Sequence, residues 1–212
     1  MEYSCVIVAA GKGRRSGLEY NKVFYEFEGK SVIERSCEVF IDDDECHEIV
    51  IVVSENEEDE FRKRLNSSKI KYAYGGKERN DSVYNGLELV TSEYVMIHDG
   101  ARCFISKEEI EKIKVCLEGE DACLLMVPVT DTIKRVIDGY VETTFIRSEL
   151  MAAQTPQAFK TDLIRKCHQL SKDSDMQISD DAMLVEAFSD TKVKAVFGSY
   201  HNIKITTPND LK

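Results

Sequence analysis

The sequence predicts an α/β fold in three layers, a largely parallel sheet covered by helices on both faces. Three observations predict it. Apolar, β-branched runs alternate with segments of helical period along most of the chain. The first run, Val6-Ile7-Val8, carries no polar alternation and so reads as a strand buried on both faces. The unusual loops, after Val8, Tyr74 and Ile97, all follow strand ends, which is where ligands sit in open parallel sheets.

Each element has its own signal. Ser31 to Ile41 has Val32, Ile33, Cys37, Val39, Phe40 and Ile41, which fits a helix with one apolar side, and Glu48 to Val53 is a second buried strand. Glu57 to Leu65 is charged enough to be a solvated surface helix, and Lys69 to Tyr74 alternates as a strand before Gly75-Gly76. Asn80, Asp81 and Ser82 are the candidate caps of a helix through Val90. Tyr94 to Ile97 is again a strand, Ser106 and Glu109 form a capping box for a helix to Leu117, and Asp121 to Val129 is a strand. From Asp131 to Phe159 the texture changes. Asp138-Gly139 between two β-prone runs predicts a hairpin, and a lone two-stranded ribbon needs something to pack on. Thr161 to Leu170 returns to helix, and Ser179 is the expected cap of another through Phe188. Val193 to Phe197 and Ile203 to Thr206 read as short strands, and Pro208 opens a final helical stub.

The loop after the first strand carries the strongest chemical signal. Ala9-Ala10-Gly11-Lys12-Gly13 lets backbone N–H groups approach a ligand closely. Lys12, Arg14, Arg15 and Lys22 then supply four cations against one anion, Glu19, in a chain of formal charge −11. Amides and clustered cations at a strand end suit a polyphosphate. Two familiar glycine loops are excluded by spacing. Ser16 stands where the dinucleotide-binding G-x-G-x-x-G needs its third glycine, and it also breaks the P-loop pattern counted from Gly11.

Composition narrows the class further. At 212 residues, 42% hydrophobic and 32% charged, one domain with a substantial core is the economical reading. No apolar run approaches the roughly 20 residues that span a bilayer, and the N-terminus does not read as a signal peptide. Seven scattered cysteines without a C-x-x-C pair favour reduced thiols in a cytoplasmic protein over disulfides or a zinc site. The acidic balance argues against nucleic acid as a partner, whereas a small anion feels the local pocket.

Two further loops join the first. Gly75-Gly76-Lys77-Glu78-Arg79-Asn80-Asp81-Ser82 allows a sharp turn into a helix whose first N–H groups are unpaired. His98-Asp99-Gly100-Ala101-Arg102 places a carboxylate and a guanidinium just past a strand end. Asp99 suits a sugar hydroxyl, a position near Mg²⁺, or a pair with Arg102. His98 reads as a packed histidine, since nothing near it in sequence needs a general base, and the four histidines share no metal-ligand spacing.

These segments resemble those of the 2-C-methyl-D-erythritol 4-phosphate cytidylyltransferase family, enzymes of isoprenoid precursor synthesis. The A-A-G-K-G-R-R loop with Lys22, G-G-x-E-R-x-x-S and H-D-x-A-R carry the likeness. So do Val129 to Lys134, Gln154 to Phe159, Ile178 to Asp181 and Asn202 to Thr206. Cys103, Asn21, Val23 and Ser179 differ from the residues most common in the family at those places. The resemblance implies a Rossmann-like nucleotidyltransferase fold with a mixed, mostly parallel sheet, spanning 1–212 as one domain. A protruding β-ribbon arm at about 131–155 would serve a homodimer. It implies Arg15 and Lys22 as catalytic groups, and Ala9, Ala10, Gly11, Gly13, Gly76, Arg79, Ser82 and Gly100 around the nucleotide. Arg147, Lys204, Asp99, Thr132 and Ser179 would position the acceptor, with Mg²⁺ bound mainly through the phosphates of CTP. No residue is assigned as a metal ligand. A ribitol-5-phosphate cytidylyltransferase shares these loops, although the Ala9-Ala10 pair favours the erythritol branch. A catalytically silent nucleotide-binding domain is the alternative from another class.

Overall fold

The structure is a computed structural model that describes residues 1–11, 17–172 and 174–211. Its strands in chain order are β1 (Tyr3–Val8), β2 (Glu26–Phe27), β3 (Lys30–Ser31), β4 (Cys46–Val53), β5 (Ile70–Tyr74) and β6 (Tyr94–Asp99). They continue as β7 (Ala122–Pro128), β8 (Lys134–Ile137), β9 (Tyr140–Thr144), β10 (Met151–Lys160) and β11 (Lys194–Phe197). The helices are α1 (Val32–Ile41), α2 (Glu58–Arg64), α3 (Arg79–Leu87), α4 (Lys107–Leu117), α5 (Thr161–Ser171) and α6 (Asp181–Phe188).

Seven strands form one sheet in the order β11-β7-β10-β6-β1-β4-β5. β1 is an interior strand, parallel to both neighbours, with Val6 opposite Val50 on β4 and Ile97 on β6. Only β10 runs against its neighbours, pairing antiparallel with β6 and β7. The β1 side chains divide between two cores. Tyr3, Cys5 and Ile7 pack with Ile33 and Phe40 of α1 and Ile110 and Ile113 of α4. Val6, on the other face, packs with Leu87 of α3, Ile164 of α5 and Leu184 of α6. Residues one apart on a strand point to opposite faces, so an uninterrupted apolar run requires a helical layer on each side. The three-layer α/β/α arrangement read from the sequence is the one observed.

The capping box on Ser106 holds, its hydroxyl accepting from Glu109 N at 3.3 Å while Glu109 Oε2 takes the Ser106 N–H at 3.0 Å. The hairpin holds too: Asp138 and Gly139 turn β8 into β9 with φ of 50° and 84°, the left-handed pair that a two-residue connection needs. Every residue of β8 and β9 is exposed, with Tyr140 at 80%.

Three local expectations need correction, and one strand was not expected. Helix α3 is capped at Glu78 and ends at Leu87. Asp81 instead accepts the Glu78 N–H at 3.1 Å, and the Ser82 hydroxyl donates to Glu78 O inside the helix. Helix α6 is capped by Asp180, which accepts from Met183 N at 3.0 Å, one residue after Ser179. Ile203–Thr206 is not a strand, because Ile205 gives its N–H to Ala101 O in a loop and not to a sheet neighbour. Strand β10 has no clear sequence signal, since Gln154, Thr155, Pro156 and Gln157 interrupt its apolar pattern. Those polar side chains are buried nonetheless.

Candidate active site

The carboxyl ends of β6, β1, β4 and β5 lie side by side, and the loops leaving β1, β5 and β6 are tied to neighbouring strand ends through the backbone. Ala9 N donates to Val52 O at 2.9 Å, Gly75 N to Val53 O at 2.9 Å, and Gly100 N to Val8 O at 3.0 Å. Above them opens a cavity of about 650 Å³. Two glycines make the close approach possible. A Cβ on Gly75 would lie 2.5 Å from Ala10 Cβ, and one on Gly76 would lie 2.2 Å from Asp81 Cβ. Ser82 completes this wall by accepting the Gly76 N–H at 3.0 Å.

Asn21 ties the first loop down. Its buried amide donates to Ala9 O and to Glu57 Oε2, each at 3.0 Å, and its carbonyl accepts from Val23 N at 3.3 Å. The neighbouring Lys22 lines the cavity, and its ammonium donates to Ile205 O. The chain near the C-terminus thus forms one rim. It is also held by Arg102 Nη1, which donates to Asn202 O at 2.7 Å.

Asp99 is the electrostatic centre. Lys204 Nζ lies 2.8 Å from its Oδ2, Arg102 Nε 3.7 Å from the same oxygen, and Arg79 Nε 3.4 Å from Oδ1. Burial by itself would raise this carboxyl, but Arg79, Lys204 and Arg102 hold it well below the usual carboxylate range. Arg79 also donates from Nη2 to Asp181 Oδ2 at 2.8 Å, so its guanidinium spans two carboxylates.

His98 is fully buried beneath this centre, and burial lowers its imidazole to about 4. The Thr155 hydroxyl accepts the Asp99 N–H at 3.0 Å, so its own proton goes to His98 Nδ1 at 3.1 Å. That leaves Nε2–H to donate to Arg102 O at 3.1 Å. Both ring nitrogens are engaged, and the ring is neutral at ordinary pH. It braces the loop, as the sequence reading expected.

A strand-end cavity rimmed by cations with one clamped carboxylate suits an anionic ligand, and comparisons with known proteins give the family of the chain. Residues 3–212 match the family model described as 2-C-methyl-D-erythritol 4-phosphate cytidylyltransferase. The chain belongs to that family. It is 42% identical to the Bacillus velezensis 2-C-methyl-D-erythritol 4-phosphate cytidylyltransferase over 216 residues, covering 100% of this chain and 93% of the relative. With the Clostridioides difficile enzyme of the same name the identity is 45%, covering 99% and 90%. Among solved structures, the Anaerococcus prevotii 4-diphosphocytidyl-2C-methyl-D-erythritol synthase superposes with a TM-score of 0.89 at 35% identity, covering 99% and 94%. As a 2-C-methyl-D-erythritol 4-phosphate cytidylyltransferase family member, the chain is a nucleotidyltransferase. It transfers the cytidylyl group of CTP to methylerythritol phosphate in isoprenoid biosynthesis, with pyrophosphate as the leaving group.

Within the family frame, the predicted residues fall into three groups. Ala9, Ala10 and Gly11, then Gly76, Arg79 and Ser82, line the cavity together with Lys22, Asp99 and Lys204. Gly13 and Arg15 lie outside the described residues. Gly100, Thr132, Arg147 and Ser179 do not line it. Gly100 packs beneath the loop, where an added Cβ would sit 3.1 Å from Ile33 Cδ1. Thr132 is exposed at the base of the ribbon, and Arg147 is exposed with Nη1 donating to Thr130 O at 3.0 Å. The exposed Ser179 hydroxyl donates to Met183 Sδ at 3.5 Å. Sequence reasoning assigned no role to Lys77, Glu78, Ala101 and Thr206, which also line the cavity, or to Asp181 behind it. Lys77 and Glu78 stood inside a segment already singled out. Thr206 and Asp181 stood inside such segments too, but their place at this cavity depends on contacts between distant parts of the chain.

Proposed function

We propose that CTP lies between the Ala9–Gly11 loop and the Gly76–Ser82 segment, with its triphosphate directed to Lys22 and Arg15. The base and ribose face Gly76, Arg79 and Ser82, where backbone groups in a tight slot suit a pyrimidine over a purine. The acceptor phosphate goes to Lys204, and its hydroxyls go to Asp99. One observation carries this reading: Lys22, Arg79 and Lys204 meet at one cavity in a chain of net charge −11.

The chemistry follows from the charges. An oxygen of the acceptor phosphate attacks the α-phosphorus of CTP in line. A new P–O bond forms as the bond to the β-phosphate oxygen breaks, and pyrophosphate leaves with that electron pair. The attacking phosphate is already an anion near neutral pH, so no general base is required, in keeping with a buried, neutral His98. The obstacle is two anions meeting, and preorganised cations and amides lower it.

Among the described residues no three His, Cys, Asp or Glu side chains gather to hold a metal, and Asp99, the carboxylate at the centre of the cavity, is engaged by three cations. That donor set does not make a protein-built Mg²⁺ cage. We therefore write Mg²⁺ as part of the substrate, the magnesium complex of CTP.

Thr132 and Ser179 are assigned to the acceptor's hydroxyls, and the reading includes a homodimer in which Arg147, exposed beside the ribbon, enters the partner's cavity. Exposed Val136, Tyr140, Val141 and Ile146 provide an apolar contact for it. Among the described residues no helix is long and apolar enough to cross a membrane, and all seven cysteines are free thiols. We place the reaction in the cytoplasm, where thiols stay reduced.

The test is pyrophosphate release from CTP and Mg²⁺ with methylerythritol phosphate, ribitol phosphate or neither. Release is expected with methylerythritol phosphate alone. Equal release with ribitol phosphate would overturn the acceptor assignment, and none with either would overturn the site.

A further inference from the structure

Arg79 faces the cavity with a carboxylate on each side. The stronger bond is the one to Asp181, from Nη2 at 2.8 Å, and the weaker runs from Nε to Asp99 at 3.4 Å. Neither of these bonds uses Nη1, and Arg79 lines the cavity whereas Asp181 does not. Asp181 sits at the first position of α6, fully buried, 102 residues along the chain from its partner. Its second oxygen, Oδ1, is buried with no hydrogen-bond partner.

A buried carboxylate with half its acceptor capacity unmet is a poor stabiliser, and an apolar side chain of similar volume commonly does as well or better. What Asp181 does supply is direction. Asp99 shares Oδ2 between Lys204 and Arg102 and gives Arg79 only a long contact through Oδ1. Without the Asp181 charge, Arg79 would have Asp99 as its remaining carboxylate and would close on it. A planar guanidinium prefers two parallel bonds to one carboxylate, so this move competes directly with Lys204.

We propose that Asp181 is a positioning residue for acceptor binding: it holds Arg79 back from Asp99, so that Asp99 keeps Lys204 turned toward the polyol phosphate. The proposal rests on the reading of the cavity given above. It connects the N-terminus of α6 to the acceptor subsite through one guanidinium.

The test compares Asp181→Asn, Asp181→Glu, Arg79→Gln and the double variant Asp181→Asn/Arg79→Gln by steady-state kinetics, with melting recorded for each. Loss of the charge in Asp181→Asn raises KM for methylerythritol phosphate about ten- to hundredfold, the size of one charge-assisted bond, and lowers kcat less than about threefold. Asp181→Glu returns KM to within about threefold of the parent. Instability alone lowers the active fraction and kcat but leaves KM in place, so an unchanged acceptor KM in folded Asp181→Asn overturns the proposal. If that variant does not fold, the double variant decides. An acceptor KM equal to that of Arg79→Gln supports the role, and a further rise overturns it. Parental kinetics in Arg79→Gln would overturn the reading of the cavity and the proposal with it. A defective Arg79→Gln beside a normal Asp181→Asn overturns the proposal alone.

Discussion

Replacing Asp99 by asparagine removes the one charge that three cations share. At an effective dielectric near 20, unit charges separated by the observed 2.8, 3.4 and 3.7 Å attract by about 4–6 kcal/mol each before desolvation is set against them. Most of that is offset by burial, and measured losses on breaking buried pairs are about 3–5 kcal/mol. For a chain of 212 residues, each kcal/mol moves the midpoint by about 2–4 °C, so Asp99→Asn should lower Tm by about 6–20 °C. Affinity should move the opposite way. Lys204 and Arg102 lose their carboxylate while Arg79 keeps Asp181, and this gain in net positive charge favours a polyphosphate, so pyrophosphate binds at least as tightly to the variant and restores more of its Tm than it adds to the parent. Turnover with methylerythritol phosphate nevertheless falls, because the hydroxyl anchor is gone. The pH dependence has a definite sign. A carboxyl held below its ordinary 3.8 stabilises the fold above that pH and loses the contribution as pH falls further. Scanning fluorimetry with and without pyrophosphate, at pH 7 and at pH 3.5, reads the stability, affinity and pH effects, and pyrophosphate release reads the turnover. A variant melting within 2 °C of the parent at pH 7, or one whose pyrophosphate affinity drops, would refute the argument that this carboxylate neutralises the cavity.

Three other predictions concern separate parts of the molecule. Lys22→Ala and Arg15→Ala each reduce kcat by about 10²–10³ while CTP affinity falls far less, as expected for groups that act on charge developing at the α-phosphorus; near-normal turnover in either removes that residue from the assignment. Mixing Arg147→Ala subunits with Lys22→Ala subunits restores part of the activity that each lacks alone, and the absence of rescue argues against a shared site. Glu48, buried on β4, accepts from Ser4 and Thr91 hydroxyls at 2.7 and 2.8 Å and pairs with Lys71. Burial pushes its carboxyl up, but Lys71, Ser4 and Thr91 together hold it at about 2, below the ordinary 4.5. Glu48→Gln therefore costs about 3 kcal/mol at pH 7 by chemical denaturation, and the difference from the parent fades as pH falls from 4.5 toward 2.

What the sequence determined by itself is whatever a few adjacent residues can decide. The Val6-Ile7-Val8 run required helices on both faces. Ser106 and Glu109 set the start of α4, and Asp138-Gly139 set the hairpin, because strand sidedness, capping and turn geometry act over two to four residues. The glycine loops and their cations announced phosphate chemistry in the same local way. Tertiary structure decided how the charges are spent. Arg79 meets Asp181 from 102 positions away, Lys204 meets Asp99, and Asn21 fastens the first loop to Ala9 and Glu57. The polar segment of β10 falls at the irregularity in its pairing with β7, and it is buried because its side chains find partners on distant loops, Gln154 at Ser199 O and Thr155 at Asp99 N. A cation is written in the sequence as a charge alone; its partner is chosen by which carboxylate the packed core holds within reach after water has been excluded.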